Sequence, residues 1–127
     1  MIDALILVRT SDNKEQKRFV GLNLYYGDFQ LISSSNYVLS FSELKKASRE
    51  NGKFFIITCS CGFPDCAGIY NPIKVEHNGS EVTWFIQEPV KKEMKFSVSQ
   101  LQNQILGAEK RLKELGFSNF EKQQFTY

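Results

Sequence analysis

Three cysteines lie close together in the segment CSCGFPDCAG, residues 59–68, which we call the cysteine loop. A thiolate can bind a soft metal ion or act as a nucleophile. Cys59, Cys61 and Cys66, together with His77, the only histidine, are the right residue types for a Cys3His zinc site. Metal binding and thiol chemistry are therefore the two kinds of reactivity to consider for this segment.

The spacing of these residues argues against a metal site. Zinc knuckles usually use a Cys-x2-Cys turn, which directs both sulfurs at one ion, whereas Cys59 and Cys61 are separated by one residue at the end of a predicted strand. His77 follows the loop by about eight to ten residues, or roughly 25 to 30 Å of extended chain. We predict no cofactor, and the alternative is a small zinc-binding or regulatory protein that uses Cys59, Cys61 and Cys66.

A thiol enzyme is a weaker alternative. The loop contains Asp65 but no Lys, Arg or His that would lower a thiol pKa. His77 could serve as a base, but no carboxylate that would orient it is recognisable. The chain also lacks a phosphate-binding loop, a nucleophile elbow and a His-Glu-x-x-His motif. We predict that the protein is not an enzyme and that the cysteines behave as small buried hydrophobic residues in a tight turn.

The elements before the loop are predicted from hydrophobic periodicity. The apolar run from Ala4 to Val8 predicts a buried strand, and the segments on either side of Gly27-Asp28 predict a hairpin whose first arm is half-buried. The spacing of Ser40 and Glu43 is that of a capping box and predicts a helix over 41–51. The apolar run 53–58 then predicts a central strand that leads into the loop.

A second hairpin is predicted after the loop, because Asn78-Gly79 is a strong turn signal. With these two residues in the turn, the apolar pairs across the hairpin are Val75 with Val82 and Ile73 with Trp84. The same register places Glu76 opposite Glu81, an unfavourable pair on the solvated face. Trp84 is therefore predicted to be buried.

A long helix is predicted over 98–115, beginning after a capping signal at Ser97 to Gln100. Its apolar residues form one stripe, suited to packing against the sheet: Val98, Leu101, Ile105, Ala108, Leu112 and Leu115. The tail beyond Gly116 is rich in aromatic residues, which predicts that it docks or adds an edge strand.

Composition indicates one domain over residues 1–127. The chain has 42% hydrophobic residues and no linker-like stretch. We predict an α+β fold with a mainly antiparallel sheet of five to seven strands and two flanking helices. A net charge of +2, from 16 basic and 14 acidic residues spread along the chain, favours no nucleic-acid or membrane partner. The apolar run near the N-terminus is too short for a signal peptide or a membrane span, so we expect a cytoplasmic protein with reduced thiols.

Residues 55–89 resemble a pattern found in small bacterial proteins of uncharacterised function. In that pattern an apolar strand runs into Cys-x-Cys-Gly-x3-Cys, and a hairpin ending in Val-x-Trp and a proline follows. In size and in its lack of catalytic motifs, the chain also resembles immunity proteins of the contact-dependent growth inhibition type. This resemblance implies a protein that neutralises a cognate bacterial toxin by direct binding.

An interface can be assigned on this hypothesis. Phe63 and Pro64 lie between the cysteines and would be rigid apolar contacts at the tip of an exposed loop, with Asp65 beside them. We predict that Phe63, Pro64 and Asp65 bind the partner, which is another protein, and that the partner is a toxin domain. Because immunity proteins against nucleases are often acidic, this slightly basic chain is expected to face a different kind of toxin surface.

Overall fold

The computed structural model describes residues 2–12, 18–33, 36–59, 68–117 and 124–125. The helices and strands, in chain order, are β1 (Ala4–Asp12), β2 (Arg18–Tyr26), β3 (Phe29–Gln30), β4 (Tyr37–Ser40), α1 (Phe41–Ala47), β5 (Gly52–Phe54), β6 (Ile57–Cys59), β7 (Ile73–Asn78), β8 (Glu81–Ile86), β9 (Lys92–Ser97), α2 (Val98–Glu114) and β10 (Gln124–Phe125). The predicted α+β class, with two helices and antiparallel strands, is confirmed.

The strands do not form one sheet of five to seven strands, and that part of the prediction is wrong. In the described residues they form three antiparallel sheets, with the orders β1-β2-β3, β10-β4-β6 and β5-β7-β8-β9. The aromatic tail adds β10 to the edge of β4, as predicted. The chain crosses between sheets within its apolar run, since β5 pairs with β7 of the third sheet and β6 pairs with β4 of the second.

The first sheet is built on the predicted hairpin. β2 turns into β3 through Gly27, whose φ of +59° is a conformation that glycine adopts readily. β1 pairs with β2 along its whole length. Only one face of β1 is buried, since Ala4 and Ile6 lie in the core while Leu5 is 47% exposed. The expectation of a buried strand is therefore correct for one face and wrong for the other.

Asn23 has a structural role that periodicity does not predict. It falls on the polar side of the predicted alternation in β2, yet it is fully buried. Its Oδ1 accepts hydrogen bonds at 2.9 Å from the N–H groups of Leu24 and Ile32, and its Nδ2 donates at 3.0 Å to the carbonyl of Ile32. The side chain thus provides main-chain partners where the short strand β3 has ended.

The apolar run 53–58 is not one central strand. Its first part lies in β5, which pairs with β7, and its last part lies in β6, which pairs with β4. Ile56 lies between the two strands and belongs to neither. Its carbonyl accepts a hydrogen bond at 2.8 Å from the N–H of Ser40. The run is largely buried because it crosses from one sheet to another, which a count of apolar residues cannot distinguish from a strand covered on both faces.

The first helix is shorter than the predicted 41–51. It ends at Ala47, and Ser40 occupies the N-cap position without a side-chain capping hydrogen bond, so the capping box is not formed. Asn51, expected to close the helix, instead accepts a hydrogen bond at 2.6 Å from the N–H of His77. Asn51, at the end of the predicted helix, therefore lies outside α1 and links the segment after α1 to β7.

The second hairpin forms, but its register differs from the prediction. Gly79 and Ser80 make the turn, so Asn78 pairs with Glu81 and Val75 pairs with Trp84. Gly79 has a φ of +64° and stands first in the turn, where primed hairpin turns favour glycine. The observed pairing is displaced by two residues from the predicted one, since Val75 pairs with Trp84 and not with Val82. Because side chains alternate with a period of two, every side chain keeps its predicted face, and Trp84 is fully buried as predicted.

The long helix is confirmed as α2, and Ser97 caps it by accepting a hydrogen bond from the N–H of Gln100. The buried members of its stripe are Leu101, Ile105, Ala108 and Leu112. α2 packs beside the outer edge of β1. Oε1 of Gln100 accepts a hydrogen bond at 2.8 Å from the N–H of Ala4, and Nε2 of Gln100 donates at 2.6 Å to the carbonyl of Ala4. Oε1 of Gln104 accepts from the N–H of Ile6 at 3.0 Å.

An aromatic row joins the first and third sheets. The ring of Phe96 on β9 packs edge-to-face against Trp84 on β8 and against Tyr26 on β2, with centroid distances of 5.0 and 5.2 Å. The hydroxyl of Tyr26 also accepts a hydrogen bond from the N–H of Lys95. This row fixes the two sheets together on one core. In the described part of the chain, no helix combines the length and the apolar composition that a membrane span requires.

Candidate functional site

The cysteine loop begins where β6 ends. Cys59 is the last residue of β6, pairs with Tyr37 of β4 and is half-buried. The other two cysteines, Cys61 and Cys66, lie outside the described residues, as do the three predicted partner-binding residues Phe63, Pro64 and Asp65. These assignments stay predictions.

His77 is held by the first helix. Its Nε2 lies 2.9 Å from the carbonyl oxygen of Ala47, and since a carbonyl only accepts, Nε2 carries the proton. A nitrogen that donates in this way is not available to a metal ion. Within the described ranges, no three side chains of His, Cys, Asp or Glu come together as a metal site would require. Zinc held by Cys59, Cys61 and Cys66 stays an alternative.

The chain leaving the loop is fastened to the connection between β8 and β9. The carboxylate of Glu88 accepts hydrogen bonds from the main-chain N–H groups of Tyr70 and Asn71, and from Nδ2 of Asn71 at 3.3 Å. These bonds favour the ionised carboxyl group and hold the pKa of Glu88 below its usual value, with the N–H of Asn71 contributing most and that of Tyr70 next. Two consecutive N–H groups thus clamp one carboxylate.

Large apolar side chains are exposed around this clamp. Tyr70 is 70% exposed and Val90 is 52% exposed, whereas most large apolar side chains among the described residues are buried. We call Tyr70, Asn71, Glu88 and Val90 the loop-exit surface. An aromatic side chain on a backbone fixed by hydrogen bonds can make a contact without first losing main-chain freedom, which is the property of a binding anchor.

A second surface lies at the seam between the helices. Glu109 on α2 forms ion pairs with Lys45 on α1 at 3.2 Å and with Lys113 at 3.4 Å. Burial raises the pKa of Glu109, but hydrogen bonds and charge attraction from Lys45 and then Lys113 outweigh it, so the pKa lies below its usual value. Leu106 is 62% exposed next to this cluster. The charges are paired with each other, and the arrangement stabilises the contact between the helices.

No pattern in the sequence predicts the loop-exit surface. Glu88 carries no motif, and Tyr70 reads as one more residue of a predicted strand. The available signal was Pro72, since the residue before a proline is biased away from regular helix and proline is rare within strands. β7 indeed starts only at Ile73, which leaves Tyr70 and Asn71 outside the sheet. No protein-family model, curated protein or solved structure matches this chain.

Proposed function

We propose that this protein acts by binding another protein and not by catalysis, and that the partner is a bacterial toxin which it neutralises. The observation that carries the proposal is the exposure of Tyr70, 70% of whose surface is accessible although its main-chain N–H is bonded to Glu88. An ordered and exposed tyrosine is a typical hot-spot residue of protein interfaces. Val90, two residues after Glu88, extends the apolar part of the same surface.

The loop-exit surface supports the earlier assignment of Phe63, Pro64 and Asp65 by its position. Gly68 is the last residue of the cysteine loop and Tyr70 follows it by two positions in the chain. A partner that contacts the loop can therefore also contact Tyr70. Interfaces of standard size involve about 20 to 30 residues on each side, more than the loop alone provides. We therefore expect the partner to contact both the loop and the loop-exit surface.

Neutralisation of a toxin is supported by the resemblance to immunity proteins described above. A preformed domain can block a toxin's active site or an adjoining surface without changing its own shape. The formal charge of +2 fits a partner with an acidic or neutral contact surface better than the cationic cleft of a nuclease. We therefore propose a toxin that is not bound through a nucleic-acid cleft.

The proposal is tested by co-purification. The tagged protein is expressed with the product of the gene immediately upstream, and the variants Tyr70→Ser and Phe63→Ser/Pro64→Ser are compared with the wild type. Loss of a hot-spot side chain is expected to weaken the complex by about 2 kcal/mol, or roughly thirtyfold in Kd. The thermal midpoint of the free protein should stay unchanged, because Tyr70 packs little of its surface.

Leu106→Ser is the matched control, since Leu106 is a similarly exposed apolar residue on α2, outside the loop-exit surface. It should leave the complex intact. Equal retention of the partner by wild type, Tyr70→Ser and Phe63→Ser/Pro64→Ser would remove this face from the interface. Failure of the wild-type protein to retain any partner would count against the function itself.

A further inference from the structure

A small groove lies between the end of α1 and the middle of α2, and we call it the helix groove. Its volume is about 180 Å³, and its lining includes Lys45 and Arg49 on one side and Ile105 and Leu106 of α2 on the other. Ile105 is buried, whereas Leu106 is 62% exposed. Both residues present hydrocarbon to the groove, so a ligand that enters it would exchange water for apolar contacts.

The lining contains three charged residues, and two of them are paired with each other. Lys45 and Glu109 form an ion pair at 3.2 Å. The third residue, Arg49, donates from its Nε to the carbonyl of Lys45 at 3.3 Å, and in the described part of the chain its Nη groups have no partner. The two Nη groups form a planar fork that matches the two oxygens of a carboxylate. The helix groove therefore carries one positive charge that is not paired.

Carbonyl groups near the end of α1 border the groove, and they already have donors. The carbonyl of Lys45 accepts a hydrogen bond at 2.7 Å from Oγ of Ser48, and the carbonyl of Ser48 accepts one at 2.9 Å from Nε2 of Gln102. Free carbonyls at the end of a helix carry partial negative charge, which would repel an anion. Because these two are bonded, the guanidinium of Arg49 is the charged group that remains for a ligand.

We infer that the helix groove binds a small monocarboxylic acid with an apolar body. Its carboxylate would bind the Nη groups of Arg49, and its hydrocarbon would pack on Ile105 and Leu106. One unpaired positive charge favours a ligand with one negative charge. The volume of about 180 Å³ lies below the roughly 300 to 1,000 Å³ of pockets for drug-sized ligands. The ligand therefore has the size of a single ring with a short chain.

A protein segment fits the helix groove less well than a small acid does. A helix bound in a groove uses several apolar anchors, spaced three or four residues apart, and each anchor needs an apolar surface to pack on. On α1 and α2, among the described residues, Leu106 is the one strongly exposed large apolar side chain. The inference goes beyond the proposed function, because the groove is separate from the loop-exit surface and does not require the toxin.

The test uses 3-phenylpropionate as the probe, since it joins one ring and a short chain to one carboxylate. Amide chemical shifts of the wild-type protein are followed during titration to about 10 mM probe. The expected result is a saturable shift at Ser48, Arg49 and Leu106, with a Kd on the order of 1 mM for so small a ligand. The alcohol 3-phenylpropanol has the same apolar body without the charge, and it should bind about tenfold more weakly.

Two variants separate the charge of Arg49 from its shape. Arg49→Gln should weaken binding of 3-phenylpropionate by about tenfold, because a charge-assisted hydrogen bond is lost. Arg49→Lys keeps the charge but not the fork, and should weaken it by about threefold. Lys110→Gln is the matched control, since Lys110 is an exposed cation on α2 outside the lining, and it should bind like the wild type. Because Arg49 is exposed, the thermal midpoints should stay unchanged.

Leu106→Ser tests the apolar contact and should weaken binding by about threefold without changing the charge. Three results would overturn the inference. These are absence of a saturable shift at Ser48, Arg49 and Leu106, equal binding by the wild type and Arg49→Gln, or equal binding of the acid and the alcohol. A fourth concerns the occupant. If the capped dipeptide acetyl-phenylalanyl-aspartyl-amide binds more than about tenfold tighter than 3-phenylpropionate, the groove takes a protein segment and not a free acid.

Discussion

The carboxylate of Glu88 lies 3.0 Å from the main-chain nitrogen of Asn71, and this contact fastens the end of the cysteine loop to the third sheet. The sequence separation of the two residues is 17, so the contact closes the β7–β8 hairpin at its open end. It fixes the backbone beneath Tyr70. The position of the exposed tyrosine therefore depends on one ionised side chain.

We predict that Glu88→Gln lowers the free energy of unfolding at neutral pH. The pKa of Glu88 is lowered in the folded state, so its contribution is present above the ordinary value of 4.5 and is lost as the pH falls through the folded-state pKa. Urea unfolding of wild type and variant, followed by Trp84 fluorescence, should show a difference at pH 7 that disappears in acid. Glu93→Gln, at an exposed position on β9, should show no such difference.

We predict that Asn23→Ala is strongly destabilising. It leaves the buried N–H and carbonyl of Ile32 without their partners, and each such group costs about 1 to 3 kcal/mol. The loss should be about 3 kcal/mol in urea unfolding. Asn103→Ala, on an exposed position of α2, should change stability by less than about 0.5 kcal/mol. Similar values for the two variants would contradict the assigned role of Asn23.

We predict that Glu109→Gln loosens α1 from α2 at a cost of about 1 kcal/mol. Because the folded-state pKa of Glu109 is lowered, this contribution too is present above 4.5 and is lost in acid. A double-mutant cycle with Lys45→Met measures the pair directly. Glu114→Gln, which breaks the exposed pair with Arg111, should cost only about 0.3 kcal/mol.

We predict that protein purified without chelator contains no stoichiometric zinc. His77 donates its Nε2 proton to Ala47, and the spacing of Cys59 and Cys61 suits chelation poorly. Elemental analysis is the measurement, with thermal unfolding before and after chelation as a second readout. One zinc per chain, together with a lower thermal midpoint after chelation, would establish the alternative site at Cys59, Cys61 and Cys66.

Local signals in the sequence were sufficient for much of the fold. The stripe on α2 was recognisable because the helix buries one face and repeats with its own period. The alternation in β2 was recognisable in the same way, although Asn23, on the expected polar side, is buried. The turn between β7 and β8 was placed correctly to within one residue. Its exact register was not, because Asn78-Gly79 and Gly79-Ser80 both supply glycine and both keep Trp84 and Val75 in the core.

Other features depended on contacts between distant segments. The apolar pattern of the run 53–58 is the same whether the run lies in one sheet or crosses between two. Asn51 has the residue type of a helix end, although its side chain accepts a hydrogen bond from the N–H of His77. The cysteine loop is recognisable in the sequence, whereas the contact between Tyr70 and Glu88 is not, since it is a hydrogen bond across the open end of a hairpin. Such relationships are set by packing and carry no periodic signal.

We propose that the protein works as one half of a stoichiometric complex. The most direct measurement is native mass spectrometry of the tagged wild-type protein purified from cells that also express the product of the upstream gene. We predict a complex with a fixed ratio of the two chains, whose partner halts growth when it is expressed alone. A spectrum containing only this chain, from cells in which the upstream product is soluble and abundant, would contradict the claim.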